Sequence, residues 1–150
     1  MSDSDRALTD YDSSQAGMMA EACLCLDEND TVIDTASKMQ THLGEGIRHR
    51  AFSVLIFDSN GRLLVQQRAS EKITFPSVWA NSCCSHPLDI AGENGDAVEG
   101  VKEAAQRKLE QELGIPRSVT DSWEFNHIGR FEYKCRWNAE WVEHEIDHVM

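Results

Sequence analysis

The chain has 150 residues, 41% of them hydrophobic and 27% charged, a balance that suits one soluble globular domain and excludes wholesale disorder. Twenty-six acidic side chains against 14 basic ones leave a net charge of −12, which repels phosphate backbones and argues against a nucleic-acid partner. No apolar run approaches the roughly 20 residues of a membrane helix, so no membrane partner is expected.

Residues 1–20 are rich in Ser, Asp and Ala and are expected to form a flexible acidic leader before a domain spanning 21–150. The start lacks a basic segment followed by an apolar one, so no secretory signal is read and a cytoplasmic compartment is expected. The five cysteines, at 23, 25, 83, 84 and 135, are then expected to be reduced. They form no Cys-x-x-Cys pair, which argues against a thiolate zinc knuckle.

Ala22–Leu26 reads as a short strand, followed by a turn at Asp27–Asp30. Residues 34–48 are polar and hold Gly44 and Gly46, so they read as a long connection with at most one helical turn. Ala51–Phe57 is apolar on both faces, Asp58-Ser59-Asn60-Gly61 has turn chemistry, and Arg62–Arg68 follows as a second strand. The pattern predicts a hairpin whose first strand is central in a sheet. Residues 69–96 show no sustained period, but their Trp, Phe and Cys content argues for an ordered, functional connection. Ala97–Leu113 carries Val98, Val101, Ala105, Leu109 and Leu113 at helical spacing, with Gly114 as its stop. Phe125–Tyr133 and Trp141–Met150 read as strands, and the chain ends inside the second of them.

Three groups of residues carry chemistry. The first is the loop Trp79–Pro87, where the Cys83-Cys84 pair stands close to His86. A thiol near an imidazole suits proton transfer or nucleophilic attack, and a nearby cation is expected to lower the thiol pKa into a working range. Two small buried hydrophobes beside a turn histidine would have the same sequence. The second group is His42, His49 and His86 with Glu143-His144-Glu145. On a strand, Glu143 and Glu145 share a face and His144 points away. The set could enclose a zinc, manganese or iron ion, or the two glutamates could be a solvated pair. The third is the helix end Arg107–Gly114, an acidic helix after a hairpin that resembles the Nudix box. Lys108 and Gln111 stand where that box has glutamates, while Arg107, Glu112 and Gly114 are kept.

Further segments extend the resemblance. His49-Arg50-Ala51-Phe52-Ser53, Leu64–Arg68, Lys72-Ile73-Thr74-Phe75-Pro76, Asn81–Leu88, Glu112–Ile115 and Glu143–Ile146 together resemble the type I isopentenyl-diphosphate isomerases of the Nudix superfamily, in that family's order over residues 21–150. The resemblance implies an α/β (α+β) fold, a Nudix-like mixed β-sheet sandwiched by helices. It also implies interconversion of isopentenyl and dimethylallyl diphosphates in isoprenoid biosynthesis. Cys84 then matches the catalytic thiol and Glu145 the catalytic carboxylate. His42, His49, His86, Glu143 and Glu145 match the ligands of one divalent ion (magnesium, manganese or zinc). Glu112 matches the carboxylate near a second magnesium that comes with the substrate. Lys38, Arg68, Lys72 and Ser85 match the diphosphate contacts, and Tyr133 a tyrosine beside the catalytic glutamate. The expected partner is a small prenyl diphosphate, taken by a monomer. The family continues past the Glu-His-Glu strand with more sheet, a helix and a tryptophan facing the cationic carbon, so the domain is expected to be C-terminally incomplete. A Nudix pyrophosphohydrolase, or an inactive fragment that binds metal or prenyl diphosphate, are the competing expectations.

Overall fold

A computed structural model describes residues 8, 9 and 11–150 of the chain. A mixed sheet is built from β1 (Ala22–Leu26), β2 (Val32–Ser37), β3 (His49–Val54), β6 (Cys83–Ser85), β7 (Gly129–Arg136) and β8 (Val142–Val149), in the order β2-β1-β3-β8-β7. β8 runs parallel to β3 along one edge, and the other edge is shared between β1, at His49, and antiparallel β6, at Phe52–Val54. The expected central position of the strand at 51–57 is therefore observed, with four of the first four residues of β3 buried.

The main helix, Ala97–Leu113, has the expected bounds. Asp96 caps it by accepting from the Val98 and Glu99 amides, and Gly114 ends it at φ 67°, a left-handed conformation that suits glycine. Val101, Ala104, Ala105 and Leu109 pack with Phe52, Val54, Cys83 and Met150 into the larger core cluster. Burial of this apolar stripe fixes the helix against β3 and β6. A second cluster joins Met19, Met39, Ile73 and the fully buried Trp141.

Several local expectations are corrected. The connection predicted at 34–48 contains the edge strand β2 and a five-residue helix, Lys38–His42, closed at its start by a reciprocal Ser37–Gln40 capping box. The hairpin after Ala51 keeps its turn, with the Asp58 and Leu64 amides donating to the Arg62 and Ile56 carbonyls. Its second arm is not a strand of the main sheet. Leu63, Leu64 and Val65 stay exposed, and only Gln66–Gln67 (β4) pairs, with Trp79–Ala80 (β5). The strand predicted from Phe125 starts at Gly129, and a short helix, Arg117–Thr120, precedes it. Within the predicted leader, residues 1–7 and 10 lie outside the described residues; Ser13–Met18 is helical and Met19 is buried. Numbered in chain order, the helices are α1 (Ser13–Met18), α2 (Lys38–His42), α3 (Ala97–Leu113) and α4 (Arg117–Thr120).

Strand alternation sends Arg50 to the face opposite its neighbour His49. Arg50, 2% exposed, donates to Asp30 through Nε at 2.8 Å and through Nη2 to the Asp30 carbonyl at 2.6 Å. Arg130 and His148 reach the other oxygen of Asp30 at 2.8 and 2.9 Å. This buried network ties the β1–β2 turn to β3, β7 and β8. Asp30→Ala would leave the Arg50 charge buried without its partner. We expect a loss of about 3–5 kcal/mol in urea denaturation; a loss below about 1 kcal/mol, typical of an exposed pair, would show that the network is not structural.

Candidate active site

Four elements converge at the start of β3. Parallel pairing places Glu145 of β8 directly beside His49. Helix α2 ends at His42, and His86 follows β6 by one residue. One ligand atom from each of His42, His49, His86 and Glu145 lies within 4.8 Å of the others.

Backbone carbonyls fix the tautomers. A carbonyl can only accept, so His42 Nδ1 donates to the Lys38 carbonyl at 2.8 Å and His49 Nδ1 donates to the Ile47 carbonyl at 2.7 Å. Their Nε2 atoms stand 3.9 and 3.5 Å from Glu145 Oε1, and His86 Nε2 lies 2.8 Å from the same oxygen. His49 Nε2 is buried without a hydrogen-bond partner. Burial, reinforced by the neighbouring imidazoles, lowers His42 to about 2; burial also lowers His86 to about 4 against the pull of Glu145. His42, neutral and with its Nδ1 proton given to a carbonyl, turns an Nε2 lone pair toward the carboxylate, which is unfavourable unless a cation lies between them. This donor set fits a divalent ion of the borderline type.

Glu143 does not join that group. Its Oε1 accepts from Thr74 at 2.9 Å, and its Oε2 stands 3.1 Å from the Tyr133 hydroxyl. Glu143, the expected fifth ligand, shares the strand face of Glu145 as predicted. Tyr133 also lies 2.5 Å from Glu145 Oε2. Burial and the charge of Glu145 push Glu143 up, whereas the imidazoles overcome burial and hold Glu145 well below the usual carboxylate range.

β6 separates the two adjacent thiols. Cys83 is fully buried in the core beneath α3, and Cys84 faces a cleft of about 300 Å³. The expected lowering of the Cys84 pKa is not what the surroundings produce. Burial raises it to about 11, although Arg68 Nη1, 3.7 Å from the sulfur, acts in the opposite direction. The thiol is therefore a proton carrier at neutral pH and a poor nucleophile. Arg68 is itself held by the Phe75 and Thr74 carbonyls at 2.9 and 2.8 Å.

Lys38, Arg68, Lys72, Ser85, Glu112, Tyr133, Glu143 and Glu145 all line the cleft with Cys84. Glu112 stands apart from the imidazoles. Its Oε1 pairs with Lys72 at 3.4 Å and with Lys108 at 3.2 Å, and these cations hold it down against burial. Lys108, read from sequence only as a lost acid, thus neutralises the helix carboxylate one turn away. Asp147 was also missed. It lines the cleft, accepts from Ser53 at 2.8 Å, and keeps its other oxygen buried without a partner. Period-two continuation from Glu143 and Glu145 was the signal for it.

Residues 47–150 match the NUDIX domain. The chain is similar to the isopentenyl-diphosphate delta-isomerase of Schizosaccharomyces pombe, 51% identical over 94% of this chain and 65% of that protein. It is similar to the enzymes of that name from Aspergillus fumigatus, 52% identical over 92% and 52%, and from Mesocricetus auratus, 47% identical over 93% and 63%. The chain thus spans about half to two thirds of the length of the curated relatives it matches. A crystal structure of DR0079 from Deinococcus radiodurans superposes with a TM-score of 0.56 over 87% of this chain and 72% of that one, at 16% identity, a likeness of fold.

The imidazoles set a pH dependence. His42 is held far below its ordinary value of 6.5 in the fold, so below about pH 6.5 the unfolded chain binds a proton that the folded chain does not. Stability of chelator-treated protein should fall as pH drops from about 6.5. Asp147, raised to about 6, contributes with the opposite sign as pH falls. His42→Gln should flatten the loss between pH 6.5 and 4 in urea denaturation at stepped pH; an unchanged slope would contradict a neutral buried His42.

Proposed function

The chain belongs to the NUDIX domain family, and from that premise we propose that the whole protein interconverts isopentenyl and dimethylallyl diphosphates. The observation that supports this most is the pairing, in one cleft, of a protonated thiol at Cys84 with the ionised Glu145. Moving a double bond by one position requires a proton added at one carbon and another removed two carbons away. Protonating an unactivated alkene creates a tertiary cation, so acid and base must sit at fixed positions out of water.

In this reading Cys84 and Glu145 are the acid–base pair. Tyr133 keeps Glu145 oriented through its hydroxyl, and Thr74 orients Glu143 in the same way. A divalent ion held by His42, His49, His86 and Glu145 would supply positive charge that sharpens the acidity of the Glu145 carboxyl group. We assign the diphosphate to Lys38, Arg68, Lys72 and Ser85, with a second magnesium at Glu112. The diphosphate serves as an anchor whose binding energy holds the alkene in place. Close charge-assisted contacts of this kind outweigh the screened field of an acidic surface.

The pyrophosphohydrolase reading is weaker. It needs several helix carboxylates to hold metal against a diphosphate. Here Lys108 Nζ contacts both Gln111 and Glu112 on that helix, which removes negative charge where hydrolysis requires it.

Incubation of isopentenyl diphosphate in deuterated water, read by mass spectrometry, tests the proposal. We expect deuterium in both isomers, and release of phosphate or pyrophosphate instead would favour hydrolysis. Cys84→Ala should lower the isomerisation rate by about 10²- to 10⁴-fold, the usual contribution of a positioned proton donor. Cys83→Ala should retain activity apart from a packing cost. Equal loss from both variants would overturn the choice of thiol.

A further inference from the structure

Outside the cleft, one ion pair grips the backbone that carries His86. Arg107 of α3 donates to Glu93 twice, Nε to Oε1 at 2.6 Å and Nη2 to Oε2 at 2.9 Å. The same Nη2 reaches the His86 carbonyl at 3.2 Å, and Glu93 Oε2 accepts from the Leu88 amide at 2.9 Å. The two peptide groups flanking Pro87 are therefore both bound to one bidentate pair. Glu93 is 4% exposed, and neither partner lines the cleft.

The helix is shaped to receive this loop. Gly100 is buried in the interior of α3, where glycine weakens a helix. A side chain there would collide with the Glu93 carbonyl oxygen, and would stand 2.9 Å from the Glu93 carbonyl carbon. Beyond Leu88 the loop is tied to β1, through the Cys23–Leu88 bridge and the Asp89 amide donating to the Ala22 carbonyl. His86 thus sits on a short backbone span fixed from α3 on one side and from β1 on the other.

We propose that Arg107 and Glu93 are positioning residues that set the affinity of the His42–His49–His86–Glu145 group for a divalent ion by holding the His86 backbone in register. This rests on the reading that the group binds such an ion. The reason is geometric. His42 and His49 are fixed by hydrogen bonds from their own Nδ1 atoms to nearby carbonyls. His86 reaches Glu145 through Nε2 but has no such Nδ1 bond to a carbonyl among the described residues, and its main chain is held by Arg107 and Glu93. A bidentate guanidinium–carboxylate fork fixes direction as well as distance, and a small displacement of one ligand is costly to a metal site.

The test is titration of chelator-treated protein with Co²⁺ alone, followed by its visible d–d absorption, with the melting temperature of the metal-free protein measured alongside. Glu93→Gln and Arg107→Met should each weaken Co²⁺ binding by about 10- to 100-fold, the usual effect of losing an outer support of a metal ligand. The double variant should be no weaker than the worse single one, because the two side chains act as a unit. Glu93→Gln keeps the shape of the side chain, so its affinity decides the matter if Arg107→Met does not fold. Variants that bind Co²⁺ within about twofold of the unaltered protein, even with a lower melting temperature, would make the pair merely structural and overturn the proposal. An unaltered protein that binds no Co²⁺ would overturn the metal reading itself, and the clamp with it.

Discussion

One oxygen of Glu145 faces the Nε2 atoms of three buried imidazoles, and one of these, on His49, has no hydrogen-bond partner in the fold. The Lys38 and Ile47 carbonyls have already taken the Nδ1 protons of His42 and His49. That leaves a neutral His42 Nε2 and an unpartnered His49 Nε2 beside a carboxylate. In a low-dielectric setting such an arrangement costs free energy unless positive charge enters it. A divalent ion would resolve it, and the parallel register of β3 with β8 is what sets Glu145 beside His49.

The rest of the cleft follows from that anchor. With its charge concentrated on one side by the imidazoles, Glu145 offers its second oxygen to Tyr133. Glu143, pushed up by burial and by the charge of Glu145, accepts from Thr74. Across the cleft, burial keeps Cys84 protonated in spite of Arg68. Two titratable groups in one small volume are thus pushed apart in pKa, the condition for one to give a proton while the other accepts. One cation of the cleft, Lys72, pairs with the helix carboxylate Glu112, which Lys108 also neutralises, while Arg68 and Lys38 line the cleft without pairing to it. That division of charge suits anchoring a diphosphate better than cleaving one.

Helix α3 was legible in the chain because cap, apolar spacing and stop signal agree from Asp96 to Gly114. β2 was not, since Val32–Thr35 is exposed and an edge strand leaves no buried face to pattern the sequence. The opposite error occurred at Leu63–Val65, an apolar run that lies exposed beside the turn. In the site, alternation predicted that Glu143 and Glu145 share a face, but the partners these carboxylates take, Thr74 and Tyr133, come from elsewhere in the chain. The direction of the Cys84 shift was invisible for a similar reason. Sequence reveals a neighbouring cation more readily than it reveals burial, and here burial is the stronger effect. The convergence of His42, His49 and His86 came from family resemblance, as their separation in sequence carries no spacing signal.

The most direct measurement is a crystal structure of the metal-loaded protein with diffraction recorded on either side of the absorption edge of the bound ion. We expect one anomalous peak with His42, His49 and His86 nitrogens and a Glu145 oxygen at about 2.0–2.2 Å. An ion bound elsewhere, or one coordinated without the imidazoles, would contradict the central role given to this cluster.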